Sequence, residues 1–379
     1  MEQLNIDFRN RRLFMDGPKR RETLSIASRY PWEKWGGFPE MLFSSLGTMH
    51  LVAPYLPPVI KTEFGVPLPV HELISAMYLS EKRSPPLNWP LAKAARFPLP
   101  KPNPGRVAIA YSAGKDSMWN LWRATEKYGA DNVLAVHIRN LNKNNGPDEL
   151  KYVLRQQKEF GFRHLEVIEL KNGSLNTGFR VMRSRDMFLA GLIIPVALEF
   201  GASKILTEGF YGAQADKVYF TGLESNMRYF NCFLSRMHIP VRVAWRNRNE
   251  MLVIRDLFEN HPEWMPHVCN CFTIPVYKNA HRRAWQGGMP SFPLYDSQCG
   301  VCVKCKIVNL ARVLYDPEAR RIDRGDIRKF LALTDRWACV QRGKAAKGKP
   351  SSMDMLEGAF LRDLAKACGI YGVCAKSLE

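Results

Sequence analysis

An α/β fold, with a parallel sheet flanked by helices, is what the sequence predicts, and three observations predict it. From Arg106 onward, short apolar β-branched runs alternate with helix-length segments, the order that gives a parallel sheet covered on both faces. Between the first such strand and the first helix stands a turn of small and polar residues, Ser112-Ala113-Gly114-Lys115-Asp116-Ser117. The apolar share of 46% is spread through the chain, and no apolar run reaches the roughly 18 residues of a membrane span.

The elements follow in order. Residues 1–104 carry basic clusters (Arg9, Arg11 and Arg12, then Lys19, Arg20 and Arg21), the aromatic segment with Trp32 and Trp35, and a predicted helix over 70–78. Seven prolines between Pro85 and Pro104 read as an extended connector. The first 104 residues are therefore expected to form an additional N-terminal domain. Residues 105–315 form the expected α/β domain, with strands over 107–111, 132–139, 164–170 and 204–208. Helices are expected from Met118, over 148–161 and over 183–200. The last of these contains the apolar run 187–197, broken by Pro195 and bounded by Asp186 and Glu199, which reads as a buried helix. Residues 316–379 are basic and helical in pattern, with a Gly/Ala/Lys stretch around Arg342, Lys344, Lys347 and Lys349 that reads as flexible.

Charge narrows the partners. The formal net charge of +19 suits a polyanion, either ATP or a nucleic acid, and basic residues interleaved with aromatics suit the second as well as an ordinary core. No secretory leader is recognised, so a cytoplasmic location with reduced cysteines is expected.

The turn at 112–117 has the chemistry of an anion site. Ala113 and Gly114 let backbone N–H groups approach a phosphate, the helix start adds about half a positive charge, and Ser112, Ser117 and Lys115 add donors. A carboxylate at Asp116 repels phosphate unless it holds Mg2+. The eight-position Walker pattern and the G-x-G-x-x-G fingerprint are both absent. A second cluster lies downstream, where Cys299, Cys302 and Cys305 place three thiols in seven residues and Cys269 and Cys271 lie about 30 positions earlier. By spacing alone this is a zinc knuckle, an iron–sulfur ligand set or a redox pair.

The hexapeptide resembles the S-G-G-x-D-S signature of the PP-loop ATP pyrophosphatases, with Ala113 in place of the first Gly. C-G-x-C-x-x-C after the nucleotide domain narrows the likeness to the QueC-type 7-cyano-7-deazaguanine synthases. The resemblance covers about residues 105–312. It implies an adenine nucleotide alpha hydrolase-like fold with a four-cysteine zinc knuckle, Zn2+ being held by Cys271, Cys299, Cys302 and Cys305. A longer insertion before Cys299 departs from the family and leaves Cys269, His267 and His281 as other fourth ligands. ATP and Mg2+ would sit on Ser112, Ala113, Gly114, Lys115, Asp116 and Ser117, with Lys115 and Asp116 catalytic. His137 and Ile138, at the second strand's end, correspond to the family's adenine contacts, and Gly209 and Asp216 to its loop after the fourth strand. The implied reaction adenylates a deazaguanine-type carboxylate, releases pyrophosphate and passes the acyl group to an amine. That amine is ammonia or, given the Arg-, Trp- and Pro-rich flanks and the QueC-like proteins of antiphage operons, a partner protein; the flanks alternatively build a homodimer. Two other readings are a PP-loop sulfurtransferase or phosphosulfate-reductase-like enzyme acting on nucleic acid, and a nucleotide-dependent nucleic-acid-binding module.

Overall fold

A computed structural model describes residues 3–17, 20–86, 90–92, 96–139, 146–173, 184–208, 224–245, 249–269, 292–298, 300, 302–347 and 358–373. In chain order the first elements are β1 (Gln3–Arg9), β2 (Arg12–Gly17), β3 (Arg20–Ile26), α1 (Phe38–Val52), β4 (Val59–Thr62), β5 (Val66–Pro67), α2 (Leu68–Ser80) and β6 (Leu91–Ala92). The α/β part follows as β7 (Asn103–Ala110), α3 (Lys115–Tyr128), β8 (Val133–Arg139), α4 (Gly146–Phe160), β9 (His164–Gly173), α5 (Arg185–Phe200), β10 (Ala202–Thr207), α6 (Glu224–Arg236), β11 (Arg242–Trp245) and α7 (Glu250–Asn260). The C-terminal helices are α8 (Val303–Tyr315), α9 (Arg324–Ala346) and α10 (Gly358–Tyr371).

Among the described residues nine strands form one mostly parallel sheet in the order β11-β10-β7-β8-β9-β3-β2-β1-β4. β11 through β9 are parallel throughout, as the alternation of strand and helix predicts. Their side chains alternate between faces. Val107, Ile109, Val133 and Ala135 pack under α3 and α4 with Leu121, Ala124 and Val153. Ala108, Leu134, Val136 and Ile168 point the other way, into a core with Phe188, Ile193 and Ile194 of α5. Helix α5 is apolar nearly all round because α1 covers the side the sheet does not, and Gly191 lets Leu46 of α1 come so close that a Cβ would stand 2.1 Å from its Cδ1.

The N-terminal segment, expected as an additional domain, contributes strands to this same sheet. Leu4, Ile6, Leu13, Met15 and Leu24 alternate inward along a β1–β2–β3 meander. Asn10 (φ 51°) and Arg11 (φ 57°) form its first turn, the two left-handed residues of a type I′ hairpin. Arg11 is held there by Glu33 and by Glu40 at 2.8 Å. β3 then pairs antiparallel with β9, Ile26 opposite Leu170, and the inward residues of the meander enter the core already occupied by α1 and α5.

Helices α7 to α10 pack in a second core that reaches the α/β half through Met118 and Trp122 of α3. The stretch read as flexible from Arg342 is helical as far as Ala346, because Phe330, Leu331 and Ala338 bury one face of α9. Among the described residues no helix is long and apolar enough to cross a membrane.

One buried contact between α1 and α5 has a pH signature. His50 lies 1% exposed, stacked on Phe188 with ring centroids 4.4 Å apart and its Nδ1 3.1 Å from Ser184 Oγ. Burial, and then the nearby Arg185 charge, push it down from 6.5 to about 3. The unfolded chain takes up this proton below about 6.5 and the folded chain does not until about 3, so the contribution is complete above 6.5 and lost as pH falls. Between pH 7 and pH 4 it should remove about 3 kcal/mol. Urea unfolding at both pH values should show that loss in the wild type and a flatter dependence in His50→Gln.

Candidate functional site

β7 is the strand at which the order reverses, with β8 on one side and β10 on the other. The crevice beyond the carboxyl end of such a strand is where open α/β sheets bind ligands. The turn 112–117 lies there. Ala113 is left-handed at φ 58°, which costs a non-glycine residue about 1 kcal/mol and explains why the resembled signature has Gly at this place. Gly114 is extended and caps α3, which starts at Lys115. The first helical bond runs from Met118 N–H to Gly114 O at 2.9 Å, and Ser117 Oγ donates to the same oxygen. Ser112 Oγ accepts from Gly114 N–H at 3.4 Å. The amides at the start of α3 have no acceptor within their own helix, as at any helix start, and such a start favours an anion.

The strained peptide is pinned from behind. Ala113 O accepts from Cys269 N–H at 2.8 Å and from Gln156 Nε2 at 3.0 Å. Gln156, wholly buried, also donates to His267 O and accepts from Tyr111 Oη at 2.5 Å. His137 does a related job. Its Nδ1 lies 2.9 Å from Tyr111 O, and because a carbonyl only accepts, this nitrogen carries the proton. Burial and the Arg139 charge hold the imidazole below its ordinary value despite that bond, so it is neutral. The His137 side chain thus fixes the end of β7, and Ile138 beside it is half-buried. Asn120 donates to Thr207 O at 3.0 Å and ties α3 to the end of β10.

The electrostatics centre on a buried ion cluster. Lys115 is fully enclosed, its Nζ 2.6 Å from Asp116 Oδ2 and 3.3 Å from Glu250 Oε2. Glu250 Oε1 meets Lys304 Nζ at 2.6 Å. Asp116, which the sequence suggests is an open loop carboxylate, is only 6% exposed. Among the described residues these two ammonium and two carboxylate groups balance. Burial favours neutral Glu250, yet Lys115 and Lys304 outweigh it and hold its carboxyl below the ordinary value. Burial likewise works against the Lys304 ammonium, and the Glu250 and Asp116 carboxylates reverse the effect and raise it. At the rim, Arg185 pairs with Asp186 at 2.8 Å and stands 4.0 Å from Glu208. Partial desolvation at this half-buried place and then the Asp116 charge push Glu208 up. Glu250, Lys304 and Gln156 were not apparent from sequence. The available signals were the Asn249 cap in front of Glu250, accepting from Met251 N–H at 2.7 Å, and the place of Lys304 between two cysteines.

Cys302 and Cys305 bring their sulfurs to 3.4 Å without a disulfide. That is close to the edge of about 3.8 Å that a tetrahedron with Zn–S of about 2.3 Å requires. Cys271, Cys299 and His281, with Gly209 and Asp216, lie outside the described residues. Among the described residues no three His, Cys, Asp or Glu side chains form a metal-holding group, so neither Cys269 nor His267 completes one with the cysteine pair.

No protein-family model matches the chain, and no curated protein matches it.

Proposed function

We propose that the chain is an ATP-dependent enzyme that adenylates a carboxylate, of the 7-carboxy-7-deazaguanine kind, and passes the acyl group to an amine. The observation that carries this reading is the turn 112–117. A left-handed Ala113 and an extended Gly114 start α3 at the carboxyl end of the strand where the sheet order reverses, beside a buried carboxylate. The first amides of α3 and the Ser112 hydroxyl are donors to phosphate oxygens, and the Ser117 hydroxyl, which donates to Gly114 O, turns to them when nucleotide binds; this is electrostatic stabilisation of the departing pyrophosphate without a protein nucleophile. Asp116 is the residue to hold Mg2+, which supplies charge neutralisation on the phosphates when bound. Lys115, now balanced between Asp116 and Glu250, contributes its charge next to the same oxygens. The substrate carboxylate displaces pyrophosphate at the α-phosphorus, and the amine then displaces AMP from the acyl carbon. Zn2+ on Cys302 and Cys305, with Cys299 and Cys271, is structural in this reading, since four thiolates close its shell. The amine comes from a partner protein recruited by the basic flanks or from ammonia.

A sulfurtransferase-like or phosphosulfate-reductase-like enzyme is the second reading, favoured by the unbridged Cys302 and Cys305 thiols on either side of a lysine that reaches the site. One experiment separates them. The protein is incubated with Mg2+, ATP and 7-carboxy-7-deazaguanine, with ammonia and then with co-expressed proteins, and products are identified by mass spectrometry. AMP, pyrophosphate and an amide of the deazaguanine are expected, with the nitrile where a second ATP activates the amide oxygen and AMP departs with it. A brown protein that leaves the deazaguanine untouched and thiolates a nucleic acid would replace the first reading with the second.

A further inference from the structure

We propose that Glu250 and Lys304 are positioning residues for the phosphate-binding turn, so that nucleotide affinity depends on the cysteine-bearing segment being docked; this rests on the nucleotide reading above. Three helices meet at the Glu250 carboxylate. Its two oxygens are divided, Oε2 toward Lys115 at the start of α3 and Oε1 toward Lys304 in the first turn of α8. A lysine side chain has four rotatable bonds and a fixed place only where its surroundings give it one. Lys115 has such a place, wholly buried, because Glu250 holds its ammonium on one side and Asp116 on the other. Lys304 in turn holds the bridging carboxylate and belongs to the segment between Cys302 and Cys305. The backbone supplies a second tie between the same partners. Cys269 N–H and the Gln156 amide that also binds His267 O both end on Ala113 O, in the left-handed peptide of the turn. The turn is thereby gripped at its carbonyl from the chain leading into the cysteine region, and at its ammonium from the helix leading out of it.

The grip can be removed without unbalancing charge. Glu250→Leu/Lys304→Met deletes one carboxylate and one ammonium together and leaves Lys115 opposite Asp116, so melting should stay within about 5 °C of the wild type. Mg-ATP affinity, read by calorimetric titration, should fall at least about tenfold, because the donors are present but no longer pre-set. Glu250→Asp keeps every charge and shortens the reach by one methylene. It should weaken Mg-ATP binding in the same direction, while Lys304→Arg, which preserves the contact, should bind as the wild type does. Either weakened variant, folded, binding Mg-ATP like the wild type would overturn the inference. A wild-type protein that does not bind Mg-ATP at all would instead overturn the nucleotide reading on which it rests.

Discussion

Asp116→Asn is expected to lower the release of pyrophosphate from ATP by at least about a thousandfold, the scale of losing a metal-holding charge at a phosphoryl centre. The change is isosteric and removes the charge that Mg2+ needs, while the amides of α3 are left in place. It is not free of structural cost, because Asp116 is buried and accepts from the Lys115 ammonium at 2.6 Å. The variant leaves two ammonium groups sharing Glu250, which should cost about 3 kcal/mol. Activity and stability are therefore to be measured on the same preparation: pyrophosphate release beside a thermal melt. A folded variant that releases pyrophosphate at the wild-type rate would remove Asp116, and with it the proposed chemistry of the turn, from consideration.

One zinc per chain is the second large expectation, with Cys302→Ser expected to precipitate rather than merely slow the protein. The physical ground is the spacing of Cys302 and Cys305, too long at 3.4 Å for a disulfide of about 2.05 Å and suited to two ligands of one ion. Binding energy at such a site is folding energy, worth about 10 kcal/mol in small zinc domains. Its loss would loosen the start of α8, where Lys304 and Cys305 are buried one turn ahead of Ile307 and Val308 of the second core. Elemental analysis after gel filtration decides the metal, and solubility of the variant decides the role. Iron with sulfide, or a soluble Cys302→Ser protein with full activity, would contradict it.

The α/β half was legible because its strands are short β-branched runs and its turns carry small residues, so strands over 107–111, 132–139, 164–170 and 204–208 fall on β7, β8, β9 and β10. Pro195 did not hide α5, since eleven of its residues are buried and its apolar run is uninterrupted by charge. The meander was harder to see. Its inward set of Leu4, Ile6, Leu13 and Met15 has the two-residue period of a strand, but the turn is Asn10-Arg11 in place of the more recognisable Asn-Gly. The pairing of β3 with β9 joins segments on either side of the Pro-rich stretch, and no local pattern encodes such a contact. The same holds at the site. The turn at 112–117 announces itself through local chemistry, whereas the burial of Asp116 and the arrival of Glu250 and Lys304 depend on α7 and α8 returning to α3.

The union of β3 with β9 bears on how a gene like this one can be rearranged. A protein started at Asn103 would keep the turn, the ion cluster and both ends of the cysteine region, yet it would bare the hydrogen-bonding rim of β9 and the face of α5 that α1 now covers. Such a fragment is a template for strand-to-strand association with its own copies. Recombination at the prolines therefore cannot exchange the first hundred residues as a cassette. Any change of that segment must carry its own replacement for β3 and α1, which ties the inheritance of the two parts together.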